Sequence, residues 1–257
     1  MQDTTLIVKS FLRPHCVERL LQSIAQFYPN LPVIVADDSD PATQERIAQL
    51  AHTCVGDRLT FLKLPFDVGL SAGRNRLVDA ARTPYVILFD DDFVLTNETR
   101  LDVLVEHLRA GEYDLVGGSW ILPDGQIEHF EGYMELTSGI LRLSPLEQYK
   151  RHQRTDIVLN FFAAKTDVLK AVRWDENLKQ SEHFDFFLQC QQHRVRVGYE
   201  PTVNILHDKQ MPEDYKEFRM RFIHDRQLMF KKWGIREIQG WPQPKKDGDG
   251  EPETIMI

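Results

Sequence analysis

Through the first half of the chain, short apolar runs rich in β-branched residues alternate with stretches whose apolar residues recur at helical spacing. Thr4 to Val8 is the first run, and Val17, Leu20, Leu21, Ile24 and Phe27 mark the helix that follows. The order recurs three times: strand Pro32 to Ala36 with helix Thr43 to Ala51, strand Leu59 to Leu64 with helix Ala72 to Ala81, and strand Tyr85 to Phe89 with helix Thr99 to Ala110. Successive βα units imply a parallel sheet with helices on both faces, because each crossover helix must return over the sheet before the next parallel strand begins.

Beyond Leu115-Val116-Gly117-Gly118 the alternation gives way to hairpin-like text, with Asp124-Gly125 as a turn before Ile127 to Leu136, and Ile140 to Asp156 is polar and without clear period. Regularity returns with a strand from Val158 into Asn160-Phe161-Phe162-Ala163, a short helix from Asp167 to Val172, a helix after Ser181 and a strand from Arg196 to Glu200. A long amphipathic helix, Asp214 to Trp233, is expected to close the fold, and the Pro-, Gly- and Lys-rich segment 239–257 to be a disordered tail. No repeat and no internal linker is visible, so residues 1–238 read as one domain.

Composition narrows the function classes. The chain has 257 residues, 42% hydrophobic and 27% charged, enough apolar material for a large core. Its formal net charge of -8 argues against nucleic acid as a partner, since phosphate backbones ask for a basic surface. Cys16, Cys54 and Cys190 are odd in number and form no CxxC, so neither a disulfide framework nor a cysteine zinc knot is expected. The cysteine usage fits a reducing compartment, and with no apolar run near eighteen residues and no leader pattern a cytoplasmic location is expected, although a chain trimmed of an anchor would read the same way.

Open parallel sheets bind ligands beyond the carboxyl ends of their strands, and here those ends carry Asp37-Asp38, Asp67 and Asp90-Asp91-Asp92. Three adjacent carboxylates repel one another, and a bound divalent cation, Mn²⁺ or Mg²⁺, is the natural way to keep them ionised. An acidic loop capping the next helix is the plainer alternative. The triplet with Phe93-Val94 also satisfies the DxDx[TV] pattern of dehalogenase-type phosphotransferases, although those place it on the first strand. The segment Asp67-Val68-Gly69-Leu70-Ser71-Ala72-Gly73-Arg74-Asn75 opens a helix with glycine, free N–H groups and an arginine, a cradle for a diphosphate.

This segment, together with Ala36-Asp37-Asp38-Ser39 and Phe89-Asp90-Asp91-Asp92, resembles the family 2-like glycosyltransferases of GT-A fold. Adding Lys9-Ser10-Phe11-Leu12-Arg13, Phe27-Tyr28-Pro29, Asp114-Leu115-Val116-Gly117-Gly118 and Asn160-Phe161-Phe162, the chain is similar in order over most of Thr4 to Trp233 to the catalytic domain of ganglioside-type β-1,4-N-acetylgalactosaminyltransferases. The resemblance implies a Rossmann-like, mostly parallel central sheet flanked by helices. It also implies a donor half at about 1–120 and an acceptor half at about 121–238 with a small mixed sheet.

The resemblance further implies residue roles. Asp92 is the expected metal ligand with His207, which ends Val203-Asn204-Ile205-Leu206-His207, as a further one. Asp38 is expected at uracil or ribose, Arg74 at uracil or diphosphate, Asp90 at the ribose and Lys209 at the phosphates, with Asp67, Asp91 and Asn160 completing the donor pocket. Ser181-Glu182-His183-Phe184-Asp185 stands where the family carries its acidic base motif, with His183 in place of the usual aspartate. Glu182 and Asp185, at i and i+3, share a helix face and either could reach one hydroxyl. The resemblance, in which ganglioside-type enzymes keep an acid at that position beside a histidine, makes Asp185 the first expected base and Glu182 the second, with His183 as the fallback. The implied reaction is metal-dependent, inverting transfer from a UDP-sugar, first UDP-GalNAc, with UDP-GlcNAc, UDP-Gal and UDP-GlcA open, to a hydroxyl of a glycan or glycolipid. A Mg²⁺-dependent phosphohydrolase and a non-catalytic nucleotide or glycan binder stay open beside it. In the terminal helix Lys216, Arg219, Arg221, Arg226, Lys231 and Lys232 interleave with apolar residues, first of all a solvated face and second a peripheral contact for anionic lipid or an acidic glycan.

Overall fold

A computed structural model describes residues 1–209, 218 and 222–240. The four expected βα units are β1 (Thr4–Ser10), α1 (Pro14–Phe27), β2 (Val33–Asp37), α2 (Pro41–Val55), β3 (Leu59–Lys63), α3 (Leu70–Ala80), β4 (Tyr85–Asp90) and, after the short β5 (Phe93–Val94), α4 (Leu101–Arg109). β3, β2, β1 and β4 lie side by side and parallel. The sheet continues through β11 (Phe162–Lys165), antiparallel to both its neighbours, to β6 (Leu115–Ile121) and β12 (Val197–His207), which run parallel to each other; β10 (Gln153–Thr155) closes the edge. All the long parallel strands therefore end on one side of the molecule.

Every residue of β1 and β2 is buried because both faces of the sheet are covered. Leu6, Val8, Val33, Val35, Ile87 and Phe89 face the layer of α1, α2 and α4, while Ile7, Ile34, Val86 and Leu88 face the opposite layer with α3, α5 (Thr166–Val172), α6 (Glu182–Gln192) and α7 (Phe222–Trp233). Local chemistry sets the helix starts: Pro14 and Pro41 occupy first-turn positions where no N–H is missed, and the Asp40 carboxylate accepts from the N–H groups of Ala42 and Thr43.

The second half departs from expectation in detail. β7 (Ile127–Glu128) does fold back on β6 through the Asp124-Gly125 turn, but the stretch 140–156 is ordered. It supplies β9 (Ile140–Pro145), paired with β8 (Gly132–Thr137) through the two-residue turn Ser138-Gly139, where φ is 52° and 78°. Both values are positive, as a type I′ hairpin needs. β12 does not stop at Glu200: Pro201 cannot donate to the ladder, so the pairing with β6 shifts between Tyr199 and Asn204 and then resumes to His207. The expected terminal helix is present as α7 from Phe222; Lys216, Arg219 and Arg221 lie outside the described residues. Lys232 is not a free surface cation, since it pairs with Asp175 and Asp185. The fold closes on β13 (Glu237–Gly240), parallel to β9, so Gln239 and Gly240, expected in a disordered tail, are strand residues of a small mixed sheet; 241–257 lie outside the described residues. Among the described residues no helix is long and apolar enough to cross a membrane.

Candidate active site

The carboxyl ends of β1, β4, β6 and β12, with the entry to antiparallel β11, border a cleft of about 310 Å³. Its walls bring together the acids Asp90, Asp91, Asp92 and Glu182, the cations Lys9, Arg13, Arg74 and Lys209, and the side chains of Trp120, Asn160, His183 and His207. Asp38 and Asp67 belong to an adjoining recess with Phe11, Lys179 and Phe218.

Asp91 and Asp92 are buried under one arginine. Arg13 donates through Nη1 to Asp92 Oδ2 at 2.8 Å and through Nη2 to Asp91 Oδ1. Burial, helped by the charges of Asp92 and Asp90, raises the Asp91 carboxyl despite Arg13. Burial acts the same way on Asp92, but His207 and Arg13 outweigh it and hold that carboxyl below its ordinary value. His207 Nε2 stands 3.6 Å from Asp92 Oδ1, its ring packed against Trp120 and Phe93. Asp91 Oδ2 and His207 Nδ1 are buried without a hydrogen-bond partner. The set fits a divalent cation: one ionised carboxylate oxygen and one imidazole at hand, an orphaned carboxylate oxygen beside them, and coordination positions left for a ligand's oxygens.

Arg74 lines the cleft but is nearly inaccessible, and its guanidinium is already engaged by two acids. Its Nη1 donates to Glu182 Oε1 at 2.5 Å and its Nη2 to Asp90 Oδ1 at 2.9 Å, so it ties α3 to the two acids that flank the cleft. Glu182 Oε2 has no partner, and burial raises the Glu182 carboxyl above its ordinary value against the pull of Arg74. One oxygen is thus held by a guanidinium while the other is left with unmet hydrogen-bonding capacity, which suits a proton acceptor.

Asp185, the first expected base, does not line the cleft. It is fully buried one helical turn on, where Trp233 Nε1 and Gln189 Nε2 each donate to it at 2.7 Å and Lys232 Nζ sits 2.7 Å away. It fastens α6 to α7. His183 lines the cleft and pairs with Asn160 Oδ1 at 2.9 Å, but burial and the Arg74 charge press its pKa down to about 3, too low for an effective base near neutrality.

In the recess, Lys9 donates to Asp38, whose other oxygen accepts the Gly69 N–H at 2.9 Å, and Lys179 pairs with Asp67 at 3.0 Å. Gly69 opens α3 at φ 93°, and a Cβ there would lie 2.7 Å from Lys179 side-chain atoms, so the close crossing needs glycine. Lys9, Arg13, Trp120 and Gln180 carried no expected role. The first three lie at or just after the carboxyl ends of β1 and β6, the same positional signal that picked out the aspartates.

Residues 5–173 match glycosyl transferase family 2. The chain is 35% identical over 215 residues to "Beta-1,4 N-acetylgalactosaminyltransferase 2" of Mus musculus, covering 81% of this chain and 40% of that protein. It is also 35% identical over 195 residues to "Beta-1,4 N-acetylgalactosaminyltransferase 1" of Homo sapiens, covering 72% of this chain and 35% of that protein. This chain therefore spans two-fifths or less of either relative's length. Among solved structures, S. aureus TarS 1-349 in complex with UDP-GlcNAc superposes with a TM-score of 0.65 at 18% identity, over 89% of this chain and 65% of that one.

Proposed function

Because this chain belongs to glycosyl transferase family 2 and has the GT-A glycosyltransferase fold, we propose that it transfers a sugar from a UDP-sugar, first UDP-GalNAc, to a hydroxyl of a glycan or glycolipid with inversion. The observation that carries the reading is the cleft itself, whose lining brings Asp92 and His207 together with Glu182 and several cations. The transferase names of the relatives and the nucleotide-sugar held by the structural neighbour support the donor class.

Asp92 and His207 would hold a Mn²⁺ or Mg²⁺ ion, which when bound neutralises the charge that grows on the departing diphosphate. Lys209 adds positive charge to the same cleft, and Arg13 keeps Asp92 in place and ionised. Glu182 accepts the acceptor hydroxyl's proton on Oε2 while Arg74 fixes Oε1, and inversion requires the attacking oxygen to approach from the face opposite the leaving group. Asp90, anchored by Arg74, would take a hydrogen bond from the donor's ribose.

A thermal-shift panel of nucleotide-sugars with and without Mn²⁺ tests this. Saturation at a hundred times the dissociation constant adds about 2.7 kcal/mol, and UDP-sugars with Mn²⁺ should supply it where GDP- and CMP-sugars do not. Stabilisation by a GDP- or CMP-sugar alone would overturn the donor assignment.

A further inference from the structure

Remote from the cleft, near the edge closed by β10, four titratable side chains from four parts of the chain converge: His107 near the end of α4, Glu112 in the connection to β6, His152 just before β10, and Glu200 in β12. None of them lines the cleft or its recess. One ligand atom each of His107, Glu112 and His152 lies within 4.8 Å of the others, and His107 Nδ1 stands 2.5 Å from Glu112 Oε2. The β10–β12 register, with Gln153 opposite Tyr199, brings His152 to the level of Glu200.

Glu200 gives the cluster its orientation. It sits at the pairing shift in β12, where a ladder irregularity re-aims side chains, and its Oε1 accepts from Thr202 N at 2.9 Å and Thr202 Oγ1 at 2.6 Å. Its Oε2 takes His107 Nε2 at 2.9 Å. A carboxylate on one imidazole nitrogen places the proton there and leaves the other nitrogen's lone pair for a metal, the arrangement common behind metal-binding histidines. That other nitrogen, Nδ1, is the one turned toward Glu112, and an ion bound there would displace to solvent the proton that now bridges Nδ1 and the Glu112 carboxylate.

We propose that His107, Glu112 and His152 form a second divalent-cation site, suited to Zn²⁺ rather than to Mn²⁺ or Mg²⁺, with Glu200 orienting His107. Two imidazoles and one carboxylate are a borderline-soft donor set, whereas the cleft offers mainly hard oxygen. Ligands on a tetrahedral zinc with bonds of about 2.0–2.2 Å lie roughly 3.4 Å apart. Glu112 and His152 are both exposed, so their side chains can turn to close the present spread. The bound ion would pin β10 to α4 and β12, bracing the edge of the sheet.

Equilibrium dialysis of the full chain against Zn²⁺, counted by atomic absorption, tests the site alongside Co²⁺ absorption spectra. His152→Ala and Glu112→Gln should each bind one Zn²⁺ fewer than the wild type, Asp92→Ala should keep that ion, and Glu200→Gln should weaken it about 10- to 100-fold. With each protein compared with its own metal-free melt, Zn²⁺ should raise the melting temperature of the wild type but not of either variant at the same concentration. Zn²⁺ stoichiometry unchanged in both His152→Ala and Glu112→Gln would overturn the proposal and leave an imidazolium bridging two carboxylates. The proposed transferase activity is unaffected by that result.

Discussion

Asp185→Asn and Glu182→Gln separate the roles of two acids only three residues apart. Asp185 receives Trp233 Nε1, Gln189 Nε2 and Lys232 in a fully buried position. An asparagine keeps one acceptor oxygen and turns its amide toward at least one of those donors. Hydrogen bonds to charged groups contribute about 1.5–3 kcal/mol each, and the partial exposure of Lys232 favours the lower end of that range. At about 2–4 °C per kcal/mol for a protein of this size, Asp185→Asn should lower Tm by roughly 3–12 °C. Turnover per folded molecule should stay near wild type. Glu182→Gln keeps an oxygen for Arg74 but removes the proton acceptor, so turnover should fall by about 10²–10⁴ with UDP-sugar affinity retained. Calorimetric UDP affinity, a thermal melt and initial rates on the same preparations decide it. A catalytically dead Asp185→Asn with an unshifted melt, beside an active Glu182→Gln, would refute the assignment.

Asp92→Ala should abolish the Mn²⁺-dependent part of UDP binding and His207→Ala should weaken it less; unchanged Mn²⁺·UDP affinity by calorimetry in Asp92→Ala would remove the metal site. Gly73→Ala places a Cβ 2.2 Å from the Lys9 side chain, which is buried and held by Asp38 and the Ser10 carbonyl. It should cost about 1–3 kcal/mol and lower donor affinity, measured by urea denaturation and titration with UDP. Asp114 is held well below its ordinary value by hydrogen bonds from Arg196 and Lys165, against a smaller opposing effect of burial. A depressed folded pKa means its stabilisation is complete above the unfolded value of 3.8 and is lost as pH falls from there toward the folded one. Asp114→Asn should therefore lower the urea midpoint at pH 7, with the gap to wild type closing in acid.

Much of the donor half was legible in the chain. Strands apolar on both faces, helix starts with proline or a capping aspartate, and aspartates at strand ends are local properties, and they brought Asp90, Asp91, Asp92, Arg74 and His207 to one cleft. What local pattern could not hold was direction and partnership. Glu182 and Asp185 share one helical face, so periodicity cannot separate them; the docking of α6 between Arg74 and Trp233 turns the first toward the cleft and buries the second. Arg74 reads as a uracil or diphosphate contact beside its glycines, and only the packing shows its guanidinium engaged by both Asp90 and Glu182. Arg13 acquires its hold on Asp91 and Asp92 only when β1 and β4 pair. The same holds for Gln239 and Gly240, whose polar, glycine-rich surroundings suggest a tail until β9 offers them a ladder. Spacing along a chain fixes which side chains can share a face, and tertiary packing then selects what each face meets.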